Sequence, residues 1–240
     1  MKQGLYMAAI AGACMAAAAP AWASSGDAAA TPSSHESDQL IIVQGARRVL
    51  ARPASPDVFG TAALDAGVTF YDARFRRVAA ADARDPVVTS LAAPLAGLDP
   101  VAKLDAVQQV VNRRVRWAHD LDGMGVADFW ANAGETLRRR VGDSEDIAIA
   151  KMQVLKAAGF DSKDLYLSVG RDKQHGAHVL LLARTGSGFF VLDDRHERLV
   201  TPSQHGRFTP IMTLGQGMSW IHGRRIHRVA SSGMARANAK

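Results

Sequence analysis

The sequence predicts an α+β fold in which helices of the first half pack on an antiparallel sheet formed by the second. Two observations carry this. In the first half apolar residues recur every three or four positions, and in the second they alternate or run in short uninterrupted stretches. The helical period is clearest from Pro100 onward, where Leu104, Val107, Val111, Val115 and Ala118 share one face. A second helix is expected over residues 143–158. Gly142 interrupts the chain before it, Asp143 can cap its open N–H groups, Asp146 follows three positions on, and Gly159 ends it. Ile147, Val154, Leu155 and Ala158 would form its buried side. Further on, Leu165, Leu167 and Val169 alternate with Tyr166 and Ser168 as in a two-faced strand. The apolar run at 178–183, the turn residues Thr185-Gly186-Ser187-Gly188 and the run at 189–192 read as an antiparallel hairpin.

The two ends of the chain have a different character. Met1-Lys2 is a basic start, residues 5–19 are apolar, and Ala21-Trp22-Ala23 has the small-x-small pattern of a signal-peptidase site. Residues 1–23 therefore read as a cleaved signal peptide and the protein as exported to the periplasm. Residues 24–58 are a polar linker and lead-in, residues 59–229 one domain, and residues 230–240 a tail too polar to bury a core.

Export has a chemical consequence, because the single cysteine, Cys14, lies in the leader. Cleavage removes it. The alternative, lipidation of Cys14 after Gly12-Ala13, would tie its sulfur into a thioether. Either route excludes disulfides, cysteine metal sites and a thiolate nucleophile. Losing Lys2 lowers the formal charge from +6 to +5. Arg138-Arg139-Arg140 and the later Arg224, Arg225 and Arg228 carry much of the excess. They read as a solvated basic face; no aromatic residues interleave with them, so a nucleic-acid partner is not expected.

Three residues converge on a possible chemistry. Ser144 would stand in the first turn of the second helix, where unpaired N–H groups and the helix dipole favour negative charge. His178 opens one strand of the hairpin and Asp193 closes the other, so a carboxylate could orient an imidazole beside a nucleophile. Each residue also has a plain structural reading: a helix start, a strand histidine and a turn.

The stretch Val111-Asn112-Arg113-Arg114-Val115-Arg116-Trp117, the stretch Asp128-Phe129-Trp130-Ala131 and the run from Gly142-Asp143-Ser144-Glu145-Asp146 to Ala148-Ile149-Ala150-Lys151 resemble the bacterial transglutaminase-like cysteine peptidases. So do His178-Val179-Leu180 and Val191-Leu192-Asp193-Asp194, where the family pattern reads Val-Leu-Asp-Asn. The resemblance spans roughly residues 59–214. It implies a papain-like fold, a catalytic triad of Ser144, His178 and Asp193, and hydrolysis of a protein or peptide substrate. It further implies a calcium site at Asp143, Glu145 and Asp146, a surface adhesin as substrate and a membrane-bound regulatory partner. Without the resemblance, the same carboxylates read as helix caps. The departure falls on the nucleophile, where the family has cysteine and this chain has Ser144. A hydroxyl cannot pre-ionise as a thiol does at a helix N-terminus. Two functions therefore stand open: a hydrolase of low activity, or a degenerate peptidase that binds a peptide or partner without cutting.

Overall fold

The computed structural model describes residues 53–80, 84–119 and 129–224. The expected signal peptide, most of the linker and the tail lie outside the described residues. In chain order the elements are β1 (Ala62–Asp65), α1 (Tyr71–Ala80), α2 (Pro86–Ala92), α3 (Pro100–Arg114), β2 (Arg116–Trp117), α4 (Ala133–Arg139), β3 (Val141–Gly142) and α5 (Ser144–Ala157). There follow β4 (Leu165–Asp172), β5 (Gly176–Thr185), β6 (Gly188–Leu192), α6 (Pro202–His205), β7 (Phe208–Gly215) and β8 (Met218–Gly223).

Among the described residues six strands form one sheet in the order β1-β8-β7-β4-β5-β6, with every neighbouring pair antiparallel. Strand parity sorts its side chains into two layers. Leu165, Leu167, Leu181, Ala183, Leu192 and Leu214 join the helices in the larger core. Tyr166, Leu180, Leu182, Val191 and Trp220 face the other way, into a smaller cluster with Val58 and Phe208. The lead-in segment covers that second face, and Tyr166 Oη donates to the carbonyl of Ala54 at 3.0 Å. The expected hairpin is β5–β6, in register from Leu181 opposite Leu192 to Thr185 opposite Gly188.

α5 is the axis of the domain. Asp143 is its N-cap, and Gly159 after it takes φ +84°. Its residues from Asp146 through Leu155 are all buried, so the helix is enclosed and not merely buried on one side. The cause is neighbours on every flank: α2, α3 and α4 pack around it and β5 lies beneath.

Two elements differ from the sequence reading. The α3 period does not continue to Ala118, because the helix stops at Arg114 and Val115 turns extended while remaining 4% exposed. The Arg116 amide instead donates to the Arg140 carbonyl at 2.9 Å and that of Ala118 to Gly142 at 3.0 Å. The short parallel pair β2–β3 thus takes over the backbone groups that a longer helix would have used. Strand β1 precedes the helices and pairs with β8 at the edge of the sheet, breaking the order of helices first and strands after.

Truncating α5 should therefore cost more than truncating an exposed site. Leu155→Ala removes a fully buried side chain and should lower stability by roughly 2–5 kcal/mol, whereas exposed Leu98→Ala should change it little. Urea unfolding of the two variants checks this.

Candidate active site

The chain ahead of α5 is shaped by a close approach. A Cβ on Gly142 would lie 2.8 Å from Asp146 Cβ and 3.0 Å from Thr136 Cγ2, so no larger residue fits there without movement. Asp143 then caps the helix, its Oδ1 accepting from the Asp146 amide at 3.3 Å. Asp146 is fully buried and accepts the Ala131 N–H at 2.7 Å, which ties the Trp130-Ala131 segment to the helix start. Ser144, the first helical residue, is 7% exposed. Its Oγ donates to Glu145 Oε2 at 3.2 Å and accepts from the Val179 amide at 3.3 Å.

The hairpin register places Asp193, just past β6, beside the first residues of β5. His178 Nε2 lies 2.8 Å from Asp193 Oδ1, with both side chains fully buried. The His178 ring is edge-on to Phe208, with centroids 6.1 Å apart. Its Nδ1 has no hydrogen-bond partner among the described residues. The structure thus joins His178 to Asp193, while Ser144 Oγ meets the backbone amide next to His178 and not its ring. His175 is exposed and bonds to Asp172 instead.

Asp193 is the hub of a larger network. Its Oδ1 also accepts the Arg195 amide at 3.0 Å, and its Oδ2 faces His205 Nε2 at 2.7 Å and His196 Nδ1 at 3.2 Å. Burial alone would raise its pKa. The hydrogen bonds from His178, His196 and His205, with the His178 charge, outweigh that and hold the carboxyl far below the usual range. From α3, Gln108 Nε2 donates to the Asp193 carbonyl at 2.7 Å and Asn112 Nδ2 to the His196 carbonyl at 2.9 Å. Gln108 Oε1 in turn accepts from Lys151 Nζ at 2.8 Å. Burial pushes the Lys151 ammonium down to about 7 against the attraction of Asp194 and Asp193.

Sequence reading missed Gln108, Asn112, Lys151, His196 and His205. The first two carried a signal, since they are polar, one helical turn apart, and each sits directly after a residue of the apolar face, Val107 and Val111, and Lys151 interrupts an apolar run. His196 and His205 join the network only through the loop after β6 and the turn of α6, which no local pattern announces.

A helix N-terminus set against an antiparallel sheet, with a histidine–aspartate pair at adjacent strands, defines a papain-like α+β domain. The sequence profile of the bacterial transglutaminase-like cysteine proteinases (BTLCP) matches residues 82–220, more than half of the 240-residue chain, and the chain belongs to that family. The matched segment contains no cysteine. Calcium-bound LapG of Legionella pneumophila has a similar fold, with a TM-score of 0.51 and 20% identity over 62% of this chain and 86% of that one. EGTA-treated LapG gives a TM-score of 0.52 and 21% identity over 65% and 87% of the two chains. No curated protein matches the sequence.

Asp194, next to the buried pair, is itself almost enclosed, with its side chain 7% exposed, and its environment shows a consequence. Burial, joined by the Asp193 charge, pushes its carboxyl up to about 6 against the attraction of His178 and Lys151. The folded state therefore holds a proton that the unfolded chain, near 3.8, releases first. Stability from this group is present below about pH 4 and is lost as pH rises to about 6. Asp194→Asn should gain stability relative to the parent across that window, by on the order of 3 kcal/mol at pH 7. Paired urea titrations at pH 4 and pH 7 measure the difference.

Proposed function

We propose that this protein is an exported peptidase-family hydrolase acting on a protein or peptide through Ser144, His178 and Asp193, with activity well below that of a thiol enzyme. The observation that carries the reading is the fully buried His178–Asp193 pair at 2.8 Å, one residue from the amide that holds Ser144 Oγ. With Asp193 accepting from Nε2–H, the lone pair of His178 lies on Nδ1, the nitrogen left without a partner among the described residues. In this reading Ser144 Oγ attacks a peptide carbonyl while Nδ1 takes its proton, then passes it to the leaving amine. Water reverses the sequence and releases the acyl group. The open N–H groups of α5 would stabilise the oxyanion.

A second reading, a binding protein that holds a peptide without cutting, is favoured by one detail. The Ser144 hydroxyl donates to Glu145 and not to His178. Oxygen is smaller than sulfur and its bond to carbon shorter, so a site sized for a thiol loses the contact to its base when serine stands there. A displacement of about 1 Å can cost on the order of a hundredfold in rate.

Residues 1–23 would direct the chain to the periplasm, and among the described residues no helix is long and apolar enough to cross a membrane. A surface adhesin as substrate and a membrane-bound regulator follow from the resemblance alone and extend the same proposal. Calcium belongs to it too. LapG is known in calcium-bound and EGTA-treated forms. Asp143, Glu145 and Asp146 supply only carboxylate oxygens around one helical turn, a donor set that suits a hard cation. Calcium held there would offset three negative charges beside Ser144. An ion bound only by the folded state, at a hundredfold excess over its dissociation constant, adds about 2.7 kcal/mol. Melting curves with calcium and with chelator should then separate by several degrees, and superimposable curves would leave the three residues as helix caps.

The nucleophile position is tested by restoring sulfur. Ser144→Cys should react with iodoacetamide faster than a small-molecule thiol near neutral pH, because the helix N-terminus and His178 both lower its pKa. His178→Ala should remove the advantage. Alkylation no faster than that of the free thiol would replace the hydrolase reading with the binding one.

A further inference from the structure

The proposed chemistry uses one oxygen of Asp193. Its Oδ1 faces His178, whereas Oδ2 faces two imidazoles for which hydrolysis has no need, His205 Nε2 at 2.7 Å and His196 Nδ1 at 3.2 Å. One ligand atom from each of Asp193, His196 and His205 lies within 4.8 Å of the other two. We propose that Asp193, His196 and His205 form a binding site for a transition-metal cation of the zinc class.

Donor chemistry is the first argument. Two imidazoles and a carboxylate suit zinc, which takes three protein ligands and a water at an open site, whereas calcium prefers oxygen alone. Spacing is the second. Donors about 2.0–2.2 Å from a tetrahedral ion stand about 3.3–3.6 Å apart, so the His196–Asp193 pair at 3.2 Å is already close to that spacing, whereas the His205–Asp193 pair at 2.7 Å has to open by roughly 0.6 Å or more. Access is the third. The His196 side chain is 23% exposed and lines an open cleft of about 620 Å³, whose other charged residues are Asp194 and Glu197 set against Arg113, Arg195 and Arg198. Of the three ligands only His196 opens to that cleft, and the side chains of Asp193 and His205 are fully buried, so an ion would enter past the His196 ring.

Support around the ligands is the fourth. Asn112 and Gln108 hold the backbone carbonyls of Asp193 and His196. His205 ends α6, whose start is fixed by a capping box at Thr201 and Gln204, and its ring is flanked edge-on by Phe59 and Phe208. On binding, each imidazole turns a lone pair toward the ion in place of the proton it shares with Oδ2. For His205 the displaced proton moves to Nδ1, which makes no hydrogen bond among the described residues. An ion on Oδ2 would draw charge from the oxygen facing His178 and slow the chemistry proposed above. That consequence rests on the hydrolase reading; the binding does not.

Calorimetric titration of the purified full-length protein with zinc chloride tests the site, with cobalt absorption as a second readout. The expected result is one saturable site and a tetrahedral cobalt spectrum. His196→Gln, at a partly exposed turn, should keep the fold and weaken zinc binding on the order of a hundredfold. His178→Ala should leave zinc binding intact, and excess calcium should not compete. Absence of saturable binding would overturn the proposal. So would binding unchanged in His196→Gln, which would mark scattered surface histidines, or binding abolished in His178→Ala, which would move the ion to His178, Asp193 and Asp194.

Discussion

An ionised carboxylate with no exposed surface survives only where donors replace the water it has lost, and Asp193 meets that condition four times over. His178, His196, His205 and the Arg195 amide all point at its two oxygens. Much of the architecture serves this demand. The β5–β6 hairpin brings His178 into reach, the loop after β6 returns His196, and the turn of α6 supplies His205. The backbone of the same corner is fastened to α3 through Gln108 and Asn112, and α3 to α5 through Lys151. One buried charge thus couples the sheet to both central helices.

The opposite end of the site depends on close contact as well as on buried carboxylate hydrogen bonds. Gly142 lets the chain pass within van der Waals range of Asp146 and Thr136, so α5 begins where its first residue meets β5. Trp130 stacks on Tyr71 while its neighbour Ala131 donates to Asp146, and α1 and α4 are thereby anchored to the same helix start. Ser144 is positioned by packing around α5, His178 by sheet register. The two mechanisms are independent, so neither by itself sets the distance between the two side chains.

That division also explains what the sequence made legible. Local chemistry did: the Asp143 cap, the Gly159 stop and the hairpin each follow from a few adjacent residues, and each is present. Features set by partners distant in sequence did not. Val115 and Ala118 keep the helical spacing, yet tertiary pairing with the Arg140–Gly142 segment pulls them out of α3. β1 is four residues without alternation, and only β8 makes it a strand. The same holds within the site, where His178 and Asp193 could be paired from a hairpin register but His196 and His205 could not.

The energetics of the cluster bear on what it is for. A buried polar network is a poor way to gain stability, because apolar residues of similar volume often do as well or better once desolvation is counted. Lys151, pushed down to about 7, and Asp194, pushed up to about 6, both record that cost. Packing alone does not account for three histidines, two aspartates and a lysine around one corner. The proposed function and the proposed ion site would each give that arrangement a use: orienting an imidazole, moving a proton or holding an ion. In the proposed function Ser144 bears on the first two. It leaves Asp193 Oδ2 and its two further imidazoles untouched, since neither depends on which atom stands at the head of α5.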